Sequence, residues 1–377
     1  MAEAYGILTQ AKSRMAEISP AVICVIGGYG SSAAAAFISD ALARSFKVCH
    51  AVMRCGDILG CASIVIQAPE DATALVCELE SASISEMAEF VKNFPPAHIA
   101  ITGAVKQEEP PDCGQSALLS TLVGLVPSGT LHYNRDDEEL AAAVGTLNGL
   151  GLGVKTRSVG FTRGDVTIKE SKNGLTESGV PELCAVITAD GEDLRCSSEI
   201  FGRQNARGMA FALSVALGLG VPAERACSGM AEARYPSRAG ICRTAGGGLM
   251  IDETRGANPD SASRHIKDLI EFGVPENVVK LAILGGMGDL GADSRRWHEV
   301  TMSRACLLDG VYLIGKEWDG IVTEQASLRG RWEDTDHFMR DFDPAALEAA
   351  VTLVMDSGRY DISRIFPKAP LTGKDLP

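Results

Sequence analysis

The sequence lacks any apolar run close to the roughly 20 residues that a transmembrane helix needs. Its first residues also lack the basic stretch and apolar core that are typical of a signal peptide. Positive charge is scarce, because 35 lysines and arginines stand against 49 aspartates and glutamates, which leaves a net charge of −14. We therefore expect a cytoplasmic protein that binds neither membranes nor nucleic acid.

Cys-x-x-Cys pairs are absent as well, although the sequence contains 11 cysteines. Cys49, Cys55 and Cys61 form a loose group with His50, but their spacing matches no common pattern of metal ligands. A metal site and a set of reduced thiols both fit these residues. Reduced thiols are the simpler explanation, and they indicate a reducing compartment.

The composition is that of a globular protein with a large core. Apolar residues make up 46% and charged residues 22% of the 377 positions, and this length suffices for two or three domains. Up to residue 147, apolar runs of strand length alternate with helical patterns, which predicts a mainly parallel α/β sheet. Four short strands within residues 154–198 predict an antiparallel addition. The alternation then resumes at residue 249 and ends with a predicted helix at residues 344–356.

The most informative stretch follows the first predicted strand. Gly27, Gly28 and Gly30 break that strand, and Ser31 and Ser32 open a helix. Phosphate-binding loops have this construction, because backbone N–H groups and the positive end of the helix dipole face the anion. A P-loop places a lysine and then Ser or Thr after its last glycine. Here Ser31 takes the lysine position and Ser32 the hydroxyl position, and a tight turn without phosphate binding is the alternative.

A series of further motifs follows in a characteristic order. They are Glu78 at a strand end, Asn134-Arg135-Asp136-Asp137, Gly202-Arg203-Gln204-Asn205, Ser237-Arg238, residues 252–261, and residues 284–291 with Ser294 and His298 behind them. In order and spacing this series resembles the muramyl (Mur) ligases, most of all the branch of that family that adds D-Ala-D-Ala to the UDP-muramyl tripeptide. The resemblance covers almost the whole chain.

The resemblance implies a fold and a reaction. It implies a P-loop-type central domain that binds ATP and Mg²⁺, residues 1–233, and a Rossmann-like C-terminal domain, residues 234–377, with the boundary near residues 233–238. Family members use ATP to convert a carboxylic acid into an acyl phosphate, and an amine then attacks it to give an amide, ADP and phosphate. The resemblance also implies that the chain starts at the central domain, without the domain that usually holds the UDP-sugar. We therefore do not expect a UDP-linked substrate.

In the front half, the resemblance implies a damaged metal and phosphate site. Ser32 and Glu78 match the two metal ligands, and Ser31 replaces the P-loop lysine. Leu118 replaces the carbamylated lysine that holds a second Mg²⁺, and residues 104–108 contain no counterpart of the metal-site histidine. Gln204 replaces another histidine, which is a milder change.

The C-terminal half departs less from the family. Arg238 matches the arginine that reaches the γ-phosphate, so we take Arg238 and Glu78 as the candidate catalytic residues. Asn205 matches the residue that contacts adenine. Asp252 and Asn258 match contacts on the nucleotide side.

Each of these roles has a structural alternative. Glu78 also fits a solvated strand end, and Asn205 a helix-start residue that satisfies backbone donors. Arg238 also fits an ion pair with one of the many acidic side chains. Residues 252–261 also fit a helix entry that Ser or Asp caps.

Three hypotheses of function remain open. We favour a non-catalytic homologue that binds a nucleotide or a small acid or amine, as the partner or regulator of an active ligase or another pathway enzyme. Its physical basis is the loss of positive charge around the transferring phosphate. The alternatives are an active ATP-dependent acid–amino-acid ligase with a substrate that is not UDP-linked, and a scaffold that keeps the fold for contacts alone.

Overall fold

The protein is described by a computed structural model that covers residues 2–27, 30–53, 58–79, 84–103, 129–176, 181–232, 240–243, 247–254, 257–274, 277–288, 290–321, 327–365 and 369–370. Its α-helices are α1 (Ala2–Ile18), α2 (Ser31–Ala43), α3 (Ile58–Ile66), α4 (Ile84–Asn93), α5 (Glu138–Gly149), α6 (Ala206–Gly218), α7 (Ala223–Ala231), α8 (Pro259–Glu271), α9 (Ser294–Ala305) and α10 (Thr335–Asp341). No helix in this described part of the chain combines the length and apolar character that crossing a membrane requires.

The first sheet is mainly parallel. Its strands are β1 (Ala21–Ile26), β2 (Val48–Met53), β3 (Ala74–Leu79), β4 (His98–Ile101), β5 (Thr130–Asn134), β6 (Lys155–Gly160), β7 (Val166–Leu175), β8 (Pro181–Ala189) and β9 (Glu192–Ser198). They lie in the order β2-β3-β1-β4-β5-β6-β7-β8-β9, and neighbours from β2 to β7 pair in parallel. Asp190 and Gly191 join β8 to β9 with φ of 50° and 85°. These angles are typical of a two-residue hairpin turn, which confirms the predicted antiparallel addition.

The second sheet has a parallel centre with antiparallel strands at one edge. Its strands are β10 (Gly240–Arg243), β11 (Leu249–Glu253), β12 (Val279–Gly285), β13 (Gly310–Ile314), β14 (Leu328–Trp332), β15 (Ala350–Met355) and β16 (Ala369–Pro370). Their order is β14-β13-β12-β15-β11-β10-β16. All pairs from β14 to β11 are parallel, and β10 is antiparallel to both of its neighbours. The predicted α/β class is thus confirmed.

The chain forms two compact units. Unit 1 comprises Met1–Ser171, Cys184–Ser198 and Gln204–Ala233, and unit 2 comprises Lys172–Leu183, Glu199–Arg203 and Arg234–Pro377. All three tryptophans of the sequence lie in unit 2. The predicted boundary falls at residues 233–238, which lie outside the described residues, so the division 1–233 and 234–377 stays a prediction.

The helix predicted at residues 344–356 is wrong. Pro344–Leu347 forms only a short 3-10 turn, and Ala350–Met355 is β15, in the middle of the second sheet between β12 and β11. Every residue of β15 is buried. A strand with helices on both faces is apolar without alternation, so its pattern resembles that of a buried helix.

Most other predicted elements are confirmed within a few residues of their ends. The sequence did not predict β2, α3, β10, β14, α10 or β16. The sequence also predicts an acidic, proline-containing loop at residues 107–114 and a helix at residues 116–123, and both lie outside the described residues.

A buried polar chain crosses the interior of unit 1. His98 Nδ1 lies 3.0 Å from His132 Nε2, and His132 Nδ1 lies 2.8 Å from Ser214 Oγ. Burial lowers the pKa of both imidazoles, and for His132 the neighbouring His98 and Arg157 lower it further. In unit 2, burial and then Arg264 lower the pKa of His265 to about 4. These imidazoles are therefore neutral in the folded protein near pH 7.

Two helical glycines should respond to alanine with opposite signs. A Cβ at Gly229 in α7 would lie 2.1 Å from the carbonyl oxygen of Asp40 in α2, whereas a Cβ at Gly145 in α5 would have no neighbour within 4 Å. We expect Gly229→Ala to lower the free energy of unfolding by roughly 1–3 kcal/mol through overpacking. The matched control Gly145→Ala should raise it by about 0.5–1 kcal/mol. Urea unfolding followed by far-UV circular dichroism measures both free energies. If both substitutions raise the free energy of unfolding, or both lower it, the result would contradict the close packing of α7 on α2.

Stability should fall as the pH drops below neutrality. The folded pKa of His265 lies below its unfolded value of about 6.5. Below about pH 6.5 the unfolded chain binds a proton at His265 that the folded chain does not bind, and this favours unfolding. The contribution of His265 to the free energy of unfolding is therefore complete above about pH 6.5 and falls as the pH drops toward the folded pKa. The loss is about 1.4 kcal/mol per pH unit for this group. Urea unfolding of unit 2, followed by tryptophan fluorescence between pH 7 and 5, should show a shallower pH slope for His265→Gln than for the wild type. If the free energy of unfolding of His265→Gln changes with pH as steeply as that of the wild type, the result would contradict a buried neutral imidazole at His265.

Candidate functional site

The turn after β1 is held by a close approach of two backbones. Gly27 has φ of 145°, and a Cβ there would lie 2.3 Å from Thr102 Oγ1 and 3.1 Å from the backbone N of Gly103. Both conformation and space therefore require glycine at position 27. Gly28 lies outside the described residues.

Gly30 starts helix α2 from a left-handed conformation, with φ of 91° and ψ of −2°. The first turn of α2 receives no side-chain cap from Gly30, and its N-terminus carries the positive end of the helix dipole. Ser31 and Ser32 follow at once, and both are buried. The predicted strand and helix, with glycine at both described positions between them, Gly27 and Gly30, are thus confirmed.

Ser32 and Glu78, the two predicted metal ligands, are in direct contact. The Ser32 hydroxyl donates a hydrogen bond to Glu78 Oε1. Glu78 lies near the end of β3, which pairs with β1, and is only 3% exposed. The alternative of a solvated strand end is therefore wrong for this carboxylate.

Polar groups join the carboxyl ends of β1, β4 and β5. The Thr102 N–H donates to the carbonyl oxygen of Ile26 at 2.9 Å. Asn134 Nδ2 donates to the carbonyl oxygen of Thr102 at 3.0 Å, and Asn134 Oδ1 accepts from the N–H of Asp136 at 3.0 Å. Asp137 caps helix α5 through Leu140 N–H at 3.0 Å. The motif at residues 134–137 thus stabilises the edge of the sheet where the glycine turn lies.

The donor set at this edge fits Mg²⁺ in part. Glu78 and Ser32 supply two oxygens, and Mg²⁺ in nucleotide sites is typically held by one or two carboxylates together with phosphates and waters. The Ser32 hydroxyl donates its hydrogen to Glu78, and its oxygen keeps lone pairs that could face a cation. Within the described residues no group of three or more His, Cys, Asp or Glu side chains is arranged to hold a metal ion. That finding includes Cys49, His50 and Cys61, whereas Cys55 lies outside the described residues.

Asn205 precedes helix α6 in unit 1. It occupies the N-cap position with φ of −68° and makes no side-chain capping hydrogen bond. The alternative in which Asn205 satisfies the first backbone donors of the helix is therefore wrong. Its contact with adenine stays a prediction.

Asp252 and Asn258, the two residues of unit 2 that are predicted to contact a nucleotide, have local structural roles. Asp252 Oδ1 accepts from Thr254 Oγ1 at 2.6 Å, which stabilises the turn after β11. Asn258 caps α8 by accepting from the N–H groups of Asp260 and Ser261, each at 3.0 Å, and Ser261 Oγ accepts in return from the Asn258 N–H. The cap is thus Asn258 itself, where the alternative expected Ser or Asp. Nucleotide contacts of Asp252 and Asn258 remain predictions.

Arg238, the predicted γ-phosphate contact, lies outside the described residues, as do Leu118 and residues 104–108. A different arginine of unit 1 lies beside the 134–137 motif. Arg207 Nη2 is 3.7 Å from Asp136 Oδ2, and its guanidinium lies 5.2 Å from the centre of the Phe161 ring. The sequence did not single out Arg207, because its partners come from two distant strand ends.

A second polar group that the sequence did not predict lies in unit 2, at the carboxyl ends of β12, β13 and β15. Tyr360 Oη donates to Glu317 Oε2 at 2.6 Å, and Arg359 pairs with the same carboxylate. A Cβ at Gly286 would lie 2.4 Å from Glu317 Oε2. Burial and the hydrogen bond to Glu317 raise the pKa of Tyr360 to about 12, so the phenol stays protonated as the donor. Gly286 follows β12, Glu317 follows β13, and Arg359 and Tyr360 follow β15. These residues meet because β12 lies between β13 and β15 in the sheet.

His298 supports the loop after β12. Met287 N–H donates to its Nε2 at 3.0 Å, so Nδ1 carries the proton and donates to the carbonyl oxygen of Ser294 at 2.7 Å. Burial lowers the pKa of His298 against the opposing effects of Ser294 and Glu317. The imidazole is therefore a neutral link between α9 and the loop.

No protein-family model and no curated protein sequence matches this chain, but solved structures do. A MurF ligase from Thermotoga maritima, determined in complex with ADP, aligns with 96% of this chain and 82% of its own, at 20% identity and a TM-score of 0.75. MurF from Acinetobacter baumannii aligns with 96% of this chain and 79% of its own, at 17% identity and a TM-score of 0.80. Folylpolyglutamate synthetase from Lactobacillus casei aligns with 96% and 93%, at 14% identity and a TM-score of 0.61.

These likenesses establish the fold. The chain has the fold of the Mur ligases and of folylpolyglutamate synthetase, which confirms the resemblance that the motifs predicted. Identities of 14–20% leave the activity, the substrates and the retention of ATP to be argued from this chain's own residues.

The cap of α8 gives a direct test of Asn258. Replacing it by alanine removes the acceptor for two backbone N–H groups, so Asn258→Ala should lower the free energy of unfolding of unit 2 by about 1 kcal/mol. Asn258→Ser, which keeps a capping oxygen, should stay within a few tenths of a kcal/mol of the wild type. Urea unfolding followed by tryptophan fluorescence measures both. Equal stability of the alanine and serine variants would contradict the capping role.

Proposed function

We propose that this protein is a non-catalytic homologue of the Mur ligases that binds a nucleotide or a small acid or amine. In this proposal it acts as a partner or regulator of an active ligase or another enzyme of the same pathway. The observation that carries the proposal is the first turn of α2. There a buried serine, Ser31, takes the place where a P-loop has its lysine.

The chemistry explains why this matters. Phosphoryl transfer depends almost entirely on positioning and on positive charge around the phosphate. A serine supplies a hydrogen bond but no charge, so charge that develops on a transferring phosphate lacks its usual compensation at this point. Loss of one such electrostatic contact typically costs a factor of about 10²–10³ in rate.

The remaining groups support binding more than turnover. A Cβ at Gly30 would meet nothing within 4 Å, so the space beside the α2 N-terminus is open there, and helix N-termini bind phosphate without a lysine. Ser32 and Glu78 would hold Mg²⁺ there, and the ion would supply charge to the phosphates. We therefore expect nucleotide binding that is weak and dependent on Mg²⁺, with Asn205, Asp252, Asn258 and Arg238 as candidate contacts.

A second candidate function is an active ATP-dependent acid–amino-acid ligase with a substrate that is not UDP-linked. The adjacency of Ser32 and Glu78 favours it, because both oxygens of the predicted metal site lie together. The two candidates differ in turnover. Non-catalytic binding produces no ADP, and the ligase produces ADP in step with an amide.

Turnover assays decide between them. Purified full-length protein is incubated with ATP, Mg²⁺ and a panel of carboxylic acids and amines, and ADP and amide are quantified. We expect no ADP above background. ADP that forms together with an amide, and that disappears in Glu78→Gln, would overturn the non-catalytic proposal and establish the ligase.

A lysine placed at position 31 tests whether the lack of positive charge there limits nucleotide binding. We expect Ser31→Lys to tighten binding of ATP with Mg²⁺ by roughly 10- to 100-fold, since a hydrogen bond to a charged group contributes about 1.5–3 kcal/mol. The matched control Ser31→Met has an unbranched chain without the charge and should give no gain. Calorimetry measures the affinity, and thermal unfolding shows that both variants fold. If neither the wild type nor Ser31→Lys binds ATP, the loop at Gly27 is only a tight turn.

A further inference from the structure

Two cysteines that the proposed function does not use face each other in unit 1. Cys196 lies in β9 and Cys227 in α7, 31 positions apart in the sequence, and their sulfurs are 2.8 Å apart. Both are thiols in this structure. A disulfide bond is about 2.05 Å long, so the sulfurs need to approach by only about 0.8 Å.

The two thiols differ in access and in acidity. Cys196 is 3% exposed, whereas Cys227 is partly open to solvent. The hydrogen bond from the Cys196 thiol lowers the pKa of Cys227 against the effect of burial. The same hydrogen bond, together with burial, raises the pKa of Cys196. Cys227 is therefore the thiol that becomes the nucleophile, and Cys196 is its buried neighbour.

We propose that Cys196 and Cys227 form a reversible disulfide, which makes this pair an oxidation site with Cys227 as the attacking thiol. The oxidant is a low-molecular-weight disulfide such as oxidised glutathione. The proposal rests on the placement of the two sulfurs and is independent of whether the protein binds ATP.

The reaction proceeds in two exchange steps. The Cys227 thiolate attacks one sulfur of the small disulfide, a bond forms between them, and one small thiolate leaves. Cys196 then loses its proton, and its sulfur attacks Cys227 Sγ, which expels the second small thiolate. The two cysteines are oxidised by two electrons in total, and one small disulfide is reduced to two thiols.

The bond would fasten α7, a helix that packs on the C-terminal half of α2. Helix α7 packs against both β9 and α2. Its Gly229 approaches the carbonyl oxygen of Asp40 in α2, and Glu232 just after α7 pairs with Arg44 at the end of α2. A covalent link from α7 to β9 therefore constrains the support of α2, the helix that begins at Ser31.

Peptide mapping tests the bond itself. The full-length protein is incubated with excess oxidised glutathione, the remaining thiols are alkylated, and the protein is digested with trypsin without reduction. Cleavage after arginine yields residues 196–203 and 226–234, each with one cysteine. We expect these peptides as one cross-linked species that dithiothreitol separates. Free alkylated thiols at both positions, or Cys227 that remains joined to glutathione without the cross-link, would overturn the proposal.

Thermal unfolding tests the consequence. Closing a loop of this length should raise the Tm of the oxidised wild type by roughly 5–10 °C over the reduced form. Neither Cys227→Ser nor Cys196→Ala should show this shift, and Cys184→Ser, on β8, should behave as the wild type. The reduced Tm of each variant reports whether it folds. An oxidised wild type with no rise in Tm, or a rise that persists in Cys227→Ser, would contradict the assigned pair.

Discussion

The backbone at Gly27 passes so close to Thr102 that no side chain fits between them. This contact fixes the direction in which the chain leaves β1 and therefore the place where α2 begins. Thr102 in turn is hydrogen-bonded to Ile26 and accepts from Asn134, so three parallel strands share one polar edge. The positions of Ser31 and Ser32 follow from that edge, and the pairing of β3 with β1 places Glu78 beside Ser32.

The packing behind α2 is equally tight. Helix α6 approaches it at Gly208, where a Cβ would lie 3.0 Å from the ring of Phe37, and α7 approaches it at Gly229. Small residues at both contacts let the helices lie close together, as dense interiors require. Helix α2 thus packs against α6 near Phe37 and against α7 near Asp40, while its first turn carries the hydroxyls of Ser31 and Ser32.

In unit 2 the decisive feature is the order of the strands. Because β15 lies between β12 and β11, the ends of β12, β13 and β15 meet at one edge of the sheet. Glu317, Arg359 and Tyr360 come together there with the glycine loop at Gly286. Ligands of open α/β sheets bind beside such carboxyl ends. Unit 2 therefore carries its own polar edge, besides the residues that resemble nucleotide contacts.

The sequence by itself determined the alternation of strands and helices, the glycine turn at Gly27 and Gly30, and the series of motifs that predicts the Mur-ligase fold. These features are local, because strand periodicity, glycine positions and helix caps act within a few residues. Only the tertiary structure decided that Ala350–Met355 is a central strand, that Glu78 is buried against Ser32, and that Asn258 is a helix cap. It also placed Cys196 beside Cys227. These outcomes depend on which distant segments pack together, and no pattern within one segment records its partners.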